Sequence, residues 1–539
     1  MSRGEILNVP ASRHRSRVAV VVVLAACLAL AACGGSSSST STPAAGTGAS
    51  TTAAPTTLHI AFGADMQVPD PDIFYELEGN AVTTSVYEGL IRYKPDSNQF
   101  EGALATKWTV SPDGKTYTFT LRPNVKFHDG TTMDSTAVEK SFQRRTAVNS
   151  SPAYMLADVA SYATPNPATF VVKLKNPVSP FLSYLAAPYG PKVDSPTEIA
   201  AHAGTDEAQS WLKSHDAGTG PYTITSFVPG SKYVLTAFDG YWGPKPYVRE
   251  IDISIQPSIS TQELDLESGQ LDMILHGLPT PDVQSLQAKG FEVHQFPANL
   301  KTLVFVNENK GIFKSAELRT ALRSAIDKTS IVSSVYGSRA TVSNQIYPTG
   351  ELPTNLGADT PTYDPSKLKN LVSGLSDKSV ELEYDTQDPT NQRVADEVQA
   401  QLQSAGLNVS VRGIPISQVF ALPTQPKQAP DLLIDSTNPD ASHPDTWIRI
   451  YMNTKGALNY LLCSVPAADT AMDQGLAATN PSAVATDYGK AGDLIAQSGC
   501  FDTIADVKET VVARKGYTNY VHQLPTLFTI RFGDLRSAG

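Results

Sequence analysis

Between residues 116 and 121, threonine alternates with Tyr117, Phe119 and Leu121. A period of two buries one face and leaves the other polar, as in a half-buried strand. Asp113-Gly114, just ahead, is a tight-turn pair, so the run from Ala103 is predicted to form a β-hairpin. Further strand patterns lie at 58–62, 90–93 and 303–306. Leu318, Ala321, Leu322, Ala325 and Ile326 recur at helical spacing and predict a helix over 315–327; another is expected near 78–88. Strands alternating with amphipathic helices give a mixed α/β chain. Leu432-Leu433-Ile434 is a short apolar run bounded by turn residues, which reads as a buried strand. The polar loop that follows holds Asp435, Asp440, His443 and Asp445 together with two prolines, Pro439 and Pro444. Strand ends of this kind place ligand contacts in α/β proteins. A solvated turn is the competing reading of any single Asp there.

The chain has 539 residues, more than one ordinary core accommodates, so two lobes or domains are expected. The formal charge is -11; setting aside Arg3, Arg13, Arg15, Arg17 and Glu5 from 42 basic and 53 acidic residues leaves -14. Such a surface repels phosphates and disfavours nucleic acid as a partner.

Arg13, Arg15 and Arg17 precede an apolar run over 18–30. That run is short for a membrane span, which needs ~20 residues, but suits the apolar core of a signal peptide. It ends in Leu30-Ala31-Ala32-Cys33-Gly34, which resembles the lipobox of bacterial lipoproteins. Residues 1–32 are therefore expected to be a signal peptide and Cys33 the lipidated residue. Residues 33–57, made of Gly, Ser, Thr, Ala and Pro after the cysteine, cannot bury a core and read as a flexible linker. The folded part is expected to hang from the outer face of the cytoplasmic membrane.

The hairpin carries more than a pattern. Leu104-Ala105 with Trp108, Asp113-Gly114 with Tyr117, Phe119, Leu121 and Arg122, then Val125, Phe127 and Gly130 occur in order. This run resembles the signature of the family 5 extracellular solute-binding proteins, the peptide- and nickel-binding components of ABC importers. Gly218-Thr219-Gly220-Pro221-Tyr222, Tyr241-Trp242-Gly243 and Ser268-Gly269 with Asp272 extend the resemblance, which runs from Leu58 to the C-terminus. It implies a periplasmic-binding-protein-like type II fold, with two mixed α/β lobes joined by a hinge and a ligand cleft between them. Lobe I is expected to take 58–299 and 512–539, and lobe II 300–511.

The resemblance also bears on the loop. In dipeptide-binding relatives, the matching strand ends in a Gly-Trp-x-Gly-Asp-like segment whose first Asp falls on Asp440 and pairs with the peptide's α-ammonium. Ser436, Thr437 and Asn438 would offer backbone groups to the peptide as to an added strand. Asp65, Met66, Gln67 and Val68 are the similar contact segment on lobe I. Here Thr437 replaces the family's Trp, Ser436 and Pro439 replace glycines, and His443 stands where a second Asp is common. Trp447 either lines the pocket or fills core.

No Gly-x-Ser-x-Gly elbow, His-Glu-x-x-His motif or phosphate loop is present, so no catalytic residue is assigned. His443 beside Asp440 and Asp445 is the one local group of metal-ligand type; no metal or cofactor is assigned. Cys463 and Cys500, an even pair in an oxidising compartment, are expected to form a disulfide, with two buried thiols as the alternative. The expected function is that of a monomeric, exported, lipid-anchored receptor of an ABC importer. It would bind peptides reversibly and present them to permease subunits. A nickel chelate, a sugar or another small solute is the alternative ligand.

Overall fold

The computed structural model describes residues 57–538. The expected signal peptide, Cys33 and nearly all of the linker lie outside the described residues. Among the described residues no helix is long and apolar enough to cross a membrane.

The hairpin forms from Ala105–Val110 and Thr116–Leu121, with Trp108 opposite Phe119. Gly114 takes φ +68° at the turn, a conformation glycine adopts without steric cost. Tyr117, Phe119 and Leu121 are buried, as the alternation requires. Thr169–Leu174 and Val159–Asn166 complete a four-stranded antiparallel sheet. The helix Ser135–Val148 covers it, with Phe142 edge-on to Phe170 at 5.4 Å. In a second sheet Thr57–Phe62 runs parallel to Glu250–Ile255, followed by Lys232–Ala237 and Tyr222–Val228. Both sheets feed one apolar core.

The other half is organised around two long antiparallel strands, Glu292–Val306 and Phe501–Ala513. Their ends belong to different cores. Phe296, Val511 and Ala513 pack with the N-terminal core, whereas Val304, Val306, Ile504 and Val507 pack with the seven-stranded sheet. The pair thus passes from one lobe to the other.

Leu432–Thr437 lies inside that sheet, antiparallel to Glu292–Val306 and parallel to Ser379–Asp385. Leu432 and Ile434 enter one core and Leu433 the opposite one, which explains the unbroken apolar run. The strand continues three residues beyond that run. Ser436 and Thr437 pair with Thr302 and Lys301, and the Ser436 hydroxyl meets those of Thr302 (2.9 Å) and the Asn391 carbonyl (2.8 Å). The neighbouring ladder, rather than hydrophobicity, carries this extension. Predicted helix 315–327 is seen as Ala316–Ala325, capped by Ser315, and 78–88 as the shorter Asn80–Val86. Cys463 and Cys500 are bonded, with Cα atoms 6.2 Å apart. Both lie in the core that holds Trp447 and Tyr460.

Candidate functional site

Asp440 lies three residues past the strand end, where the chain turns back toward the other lobe. Its Oδ2 accepts hydrogen bonds from the hydroxyls of Tyr75 (2.5 Å) and Tyr154 (2.7 Å), both supplied by the N-terminal lobe. The residue is only 8% exposed. Burial pushes its carboxyl above the ordinary aspartate range, partly countered by the two hydroxyls. Among the described residues no Arg, Lys or His forms a salt bridge with it. Tyr189 stands edge-on to Tyr75 at 5.0 Å, and Tyr184 edge-on to Tyr154 at 5.6 Å. Burial, and then the Asp440 charge, hold the Tyr75, Tyr154 and Tyr189 hydroxyls protonated, so they remain donors. The site is thus a buried carboxyl ringed by aromatic groups, with no cation beside it among the described residues.

The tyrosines are held by charges that no motif announced. Arg144 and Arg145, adjacent on the helix Ser135–Val148, reach the 69–72 turn. Arg144 grips Asp70 with two nitrogens (2.9 and 2.6 Å) and reaches Asp72 (2.7 Å). Arg145 bonds Asp72 (2.8 Å) and the carbonyls of Pro71 (2.8 Å) and Tyr189 (2.6 Å). These buried forks fix the turn that carries Tyr75 and the backbone that carries Tyr189.

The other two acids of the loop have different tasks. Asp445 accepts from Arg449 Nε (2.8 Å) and the Tyr488 hydroxyl (2.6 Å). Asp435 is buried beside Asp385, and burial first, then that neighbouring charge, raises its pKa. His443 caps the helix Pro444–Tyr451, its Nδ1 accepting from the Asp445 N–H at 3.1 Å. Burial pushes His443 down to about 3, so it is a neutral cap.

Of the remaining candidates, Asn438 lies beside Asp440, its carbonyl held by the Tyr451 hydroxyl at 3.1 Å. Ser436 and Thr437 are strand residues, and their backbone is paired on one side only. Ser379–Asp385 pairs no further than Ile434, which leaves the opposite edge of 435–437 without a strand partner among the described residues. On lobe I, Gln67 Oε1 accepts from the Tyr75 N–H at 3.3 Å, and Met66 is buried in the core. Asp65 is exposed, near the turn at Gly230, and Val68 is half-buried; neither meets Asp440. Trp447 is not a lining residue. It is fully buried, its Nε1 donates to the Ile346 carbonyl at 3.0 Å, and its ring packs under Tyr451. The helix that begins at Pro444 turns this residue inward, so closeness in sequence to the loop does not bring it to the cleft.

His128 also has a structural task, contacting Asp216 through Nδ1 and the Gly220 carbonyl through Nε2 at 3.0 Å. Among the described residues the one group with metal-ligand spacing is Glu308 with Cys463 and Cys500, whose two sulfurs are bonded to each other.

A family model described as Bacterial extracellular solute-binding proteins, family 5 Middle, matches residues 99–459. The chain belongs to this family. The Probable D,D-dipeptide-binding periplasmic protein DdpA of Escherichia coli (strain K12) is 27% identical over 454 residues, 82% of this chain and 87% of that protein. The Nickel-binding periplasmic protein of the same organism is 26% identical over 393 residues, covering 68% and 73%. Among solved structures, the Helicobacter pylori protein DppA in complex with peptide STSA aligns with a TM-score of 0.75 at 21% identity, covering 90% of this chain and 98% of that one. NikA from Brucella suis in complex with Fe(III)-EDTA aligns with a TM-score of 0.79 at 22% identity, covering 89% and 99%. The fold of this family 5 member is therefore that of the type II periplasmic binding proteins, and Asp440 bridges its two lobes.

Proposed function

We propose that this family 5 protein is the peptide receptor of an ABC importer, with Asp440 as counter-ion for the peptide's free amino terminus. The observation that carries this reading is the Asp440 carboxylate: buried, bonded by two tyrosine hydroxyls from the facing lobe, and without a cation among the described residues. An ammonium supplies the missing charge through a charge-assisted contact. The unpaired edge of 435–437 supplies backbone groups to an extended ligand without reading its side chains. The names of DdpA and of the STSA complex agree with a peptide ligand.

Closure buries the peptide between the lobes, and opening at a permease releases it; no bond is made or broken. The reading includes lobe I over 58–299 and 512–539, lobe II over 300–511, and an anchor at Cys33. The transfer of Phe296 and Val304, on one strand, to different cores supports the crossing near 300; at the other crossing Val511 already packs with the N-terminal core. A metal chelate bound whole is the second reading, favoured by the nickel-binding relative and the Fe(III)-EDTA complex. Calorimetry with a dipeptide and its N-acetyl twin separates the two. A free-amine peptide should bind and the acetylated one should not; binding of a nickel chelate alone would overturn the peptide reading.

A further inference from the structure

The place where the strand Ser379–Asp385 stops is acidic. That strand runs parallel to Leu432–Thr437, with Glu383 opposite Leu433. Two residues further along each strand, Asp385 and Asp435 fall side by side on the same face, because side chains alternate. Each is only 3% exposed. Asp388, which caps the next helix, Pro389–Ser404, adds its charge to both. The donors present are neutral: the Gln387 N–H meets Asp385 Oδ1 at 3.1 Å, and the Tyr460 hydroxyl and Ser436 N–H serve Asp435. Among the described residues no Arg, Lys or His forms a salt bridge with Asp385, Asp388 or Asp435; Lys310 and Arg412 pair with Glu381 and Glu383 instead. Like charges side by side on neighbouring strands are destabilising, so stability alone does not account for this pair.

Two observations join the pair to the ligand cleft. Asp440 uses only Oδ2 on Tyr75 and Tyr154; its Oδ1 accepts no hydrogen bond and keeps contact with solvent. Tyr451 stands between the two places, its hydroxyl donating to the Asn438 carbonyl at 3.1 Å while the charges of both Asp435 and Asp440 act on it. An extended ligand that starts at Asp440 and lies along the open edge of 435–437 enters the space beyond Asp385. It turns every second side chain toward the face that carries Asp435 and Asp385.

Building on the peptide reading of Asp440, we propose that Asp435 and Asp385 form a side-chain subsite of the same cleft, which takes a lysine or arginine side chain and selects peptides with a basic residue near the amino terminus. The ligand's cation supplies the charge that the neutral donors around the pair do not, and it relieves the repulsion between the two carboxyls.

Calorimetry of the full chain tests this with the tetrapeptides Ala-Lys-Ala-Ala and Ala-Ala-Lys-Ala, each against its norleucine twin, which keeps the stem and lacks the charge. At one of the two positions lysine should bind about tenfold or more tighter than norleucine, as a charge-assisted contact requires. At the other, whose side chain points to the opposite face, the twins should bind alike. Asp435→Asn should abolish the preference, and Asp385→Asn should reduce it, a second reading should the first variant fail to fold. Asp440→Asn should weaken both twins and keep their ratio. Equal binding of lysine and norleucine at both positions, or a preference that survives in both Asp435→Asn and Asp385→Asn, would overturn the subsite and leave the peptide reading intact. Absence of binding by all four peptides would overturn the two together.

Discussion

Replacing Asp440 with Asn keeps the shape of the site and removes its charge. The side-chain carbonyl of Asn can still accept from Tyr75 and Tyr154, which now donate at 2.5 and 2.7 Å. What disappears is the partner for an ammonium at a position that is 8% exposed. Truncating one member of a buried charged pair costs about 2–5 kcal/mol of binding. Taking about 3 kcal/mol, the dissociation constant of a free-amine dipeptide should rise by about 10²-fold. The unliganded protein should not be weakened, because Asn removes a buried carboxyl that has no cation; its melting temperature should hold or rise. The assay is calorimetry of wild type and variant with the same dipeptide, alongside thermal unfolding of both without ligand. Unchanged peptide affinity in Asp440→Asn, with the variant folded, would refute the reasoning.

Other outcomes rest on the same structure. Peptide affinity should rise with pH through the folded pKa of Asp440, which lies above 3.8, since the cation favours the ionised carboxylate, and should fall again above about 7.7 as the amino terminus loses its proton. In the unliganded protein the sign is opposite: a raised folded pKa means stability is lost as pH rises from 3.8 through that value, a loss that titration with and without peptide should expose. Arg145→Met leaves Asp72 with only Arg144, and breaking a buried pair costs about 3–5 kcal/mol, so denaturant unfolding should shift to lower concentration and peptide affinity should drop as the 69–75 turn loosens. Trp447→Ala should cost about 3–5 kcal/mol of stability while the folded fraction keeps its peptide affinity, because the ring fills core. Reducing the Cys463–Cys500 bond, which closes a separation of 37 residues, should cost up to about 4 kcal/mol, seen as a lower melting temperature with reductant.

Local periodicity made parts of the fold legible in the sequence. The hairpin around Gly114, the helix at Ala316–Ala325 and the buried start of Leu432–Thr437 each follow from one repeating pattern. The strand's last residues were hidden because they are held by neighbours, Lys301 and Thr302, and not by apolar side chains. Asp440 stood out through family register, but its partners did not. Tyr75 and Tyr154 lie 365 and 286 residues away in the chain, and no motif joins them to the loop. Nothing in the sequence marks Arg144 and Arg145, which the fold buries against Asp70 and Asp72. Trp447 shows the converse limit: its place two residues past the loop fits either lining or core, and only the helix from Pro444 turns it into core.

The central claim is that the cleft takes a peptide by its free amino terminus. Incubating the refolded full chain with a tryptic digest, washing it, and identifying the retained molecules by mass spectrometry tests this directly. About one equivalent of peptide is expected, all with unmodified amino termini, and none when the digest is acetylated beforehand. Equal retention from the acetylated digest, or recovery of a metal chelate with no peptide, would contradict it.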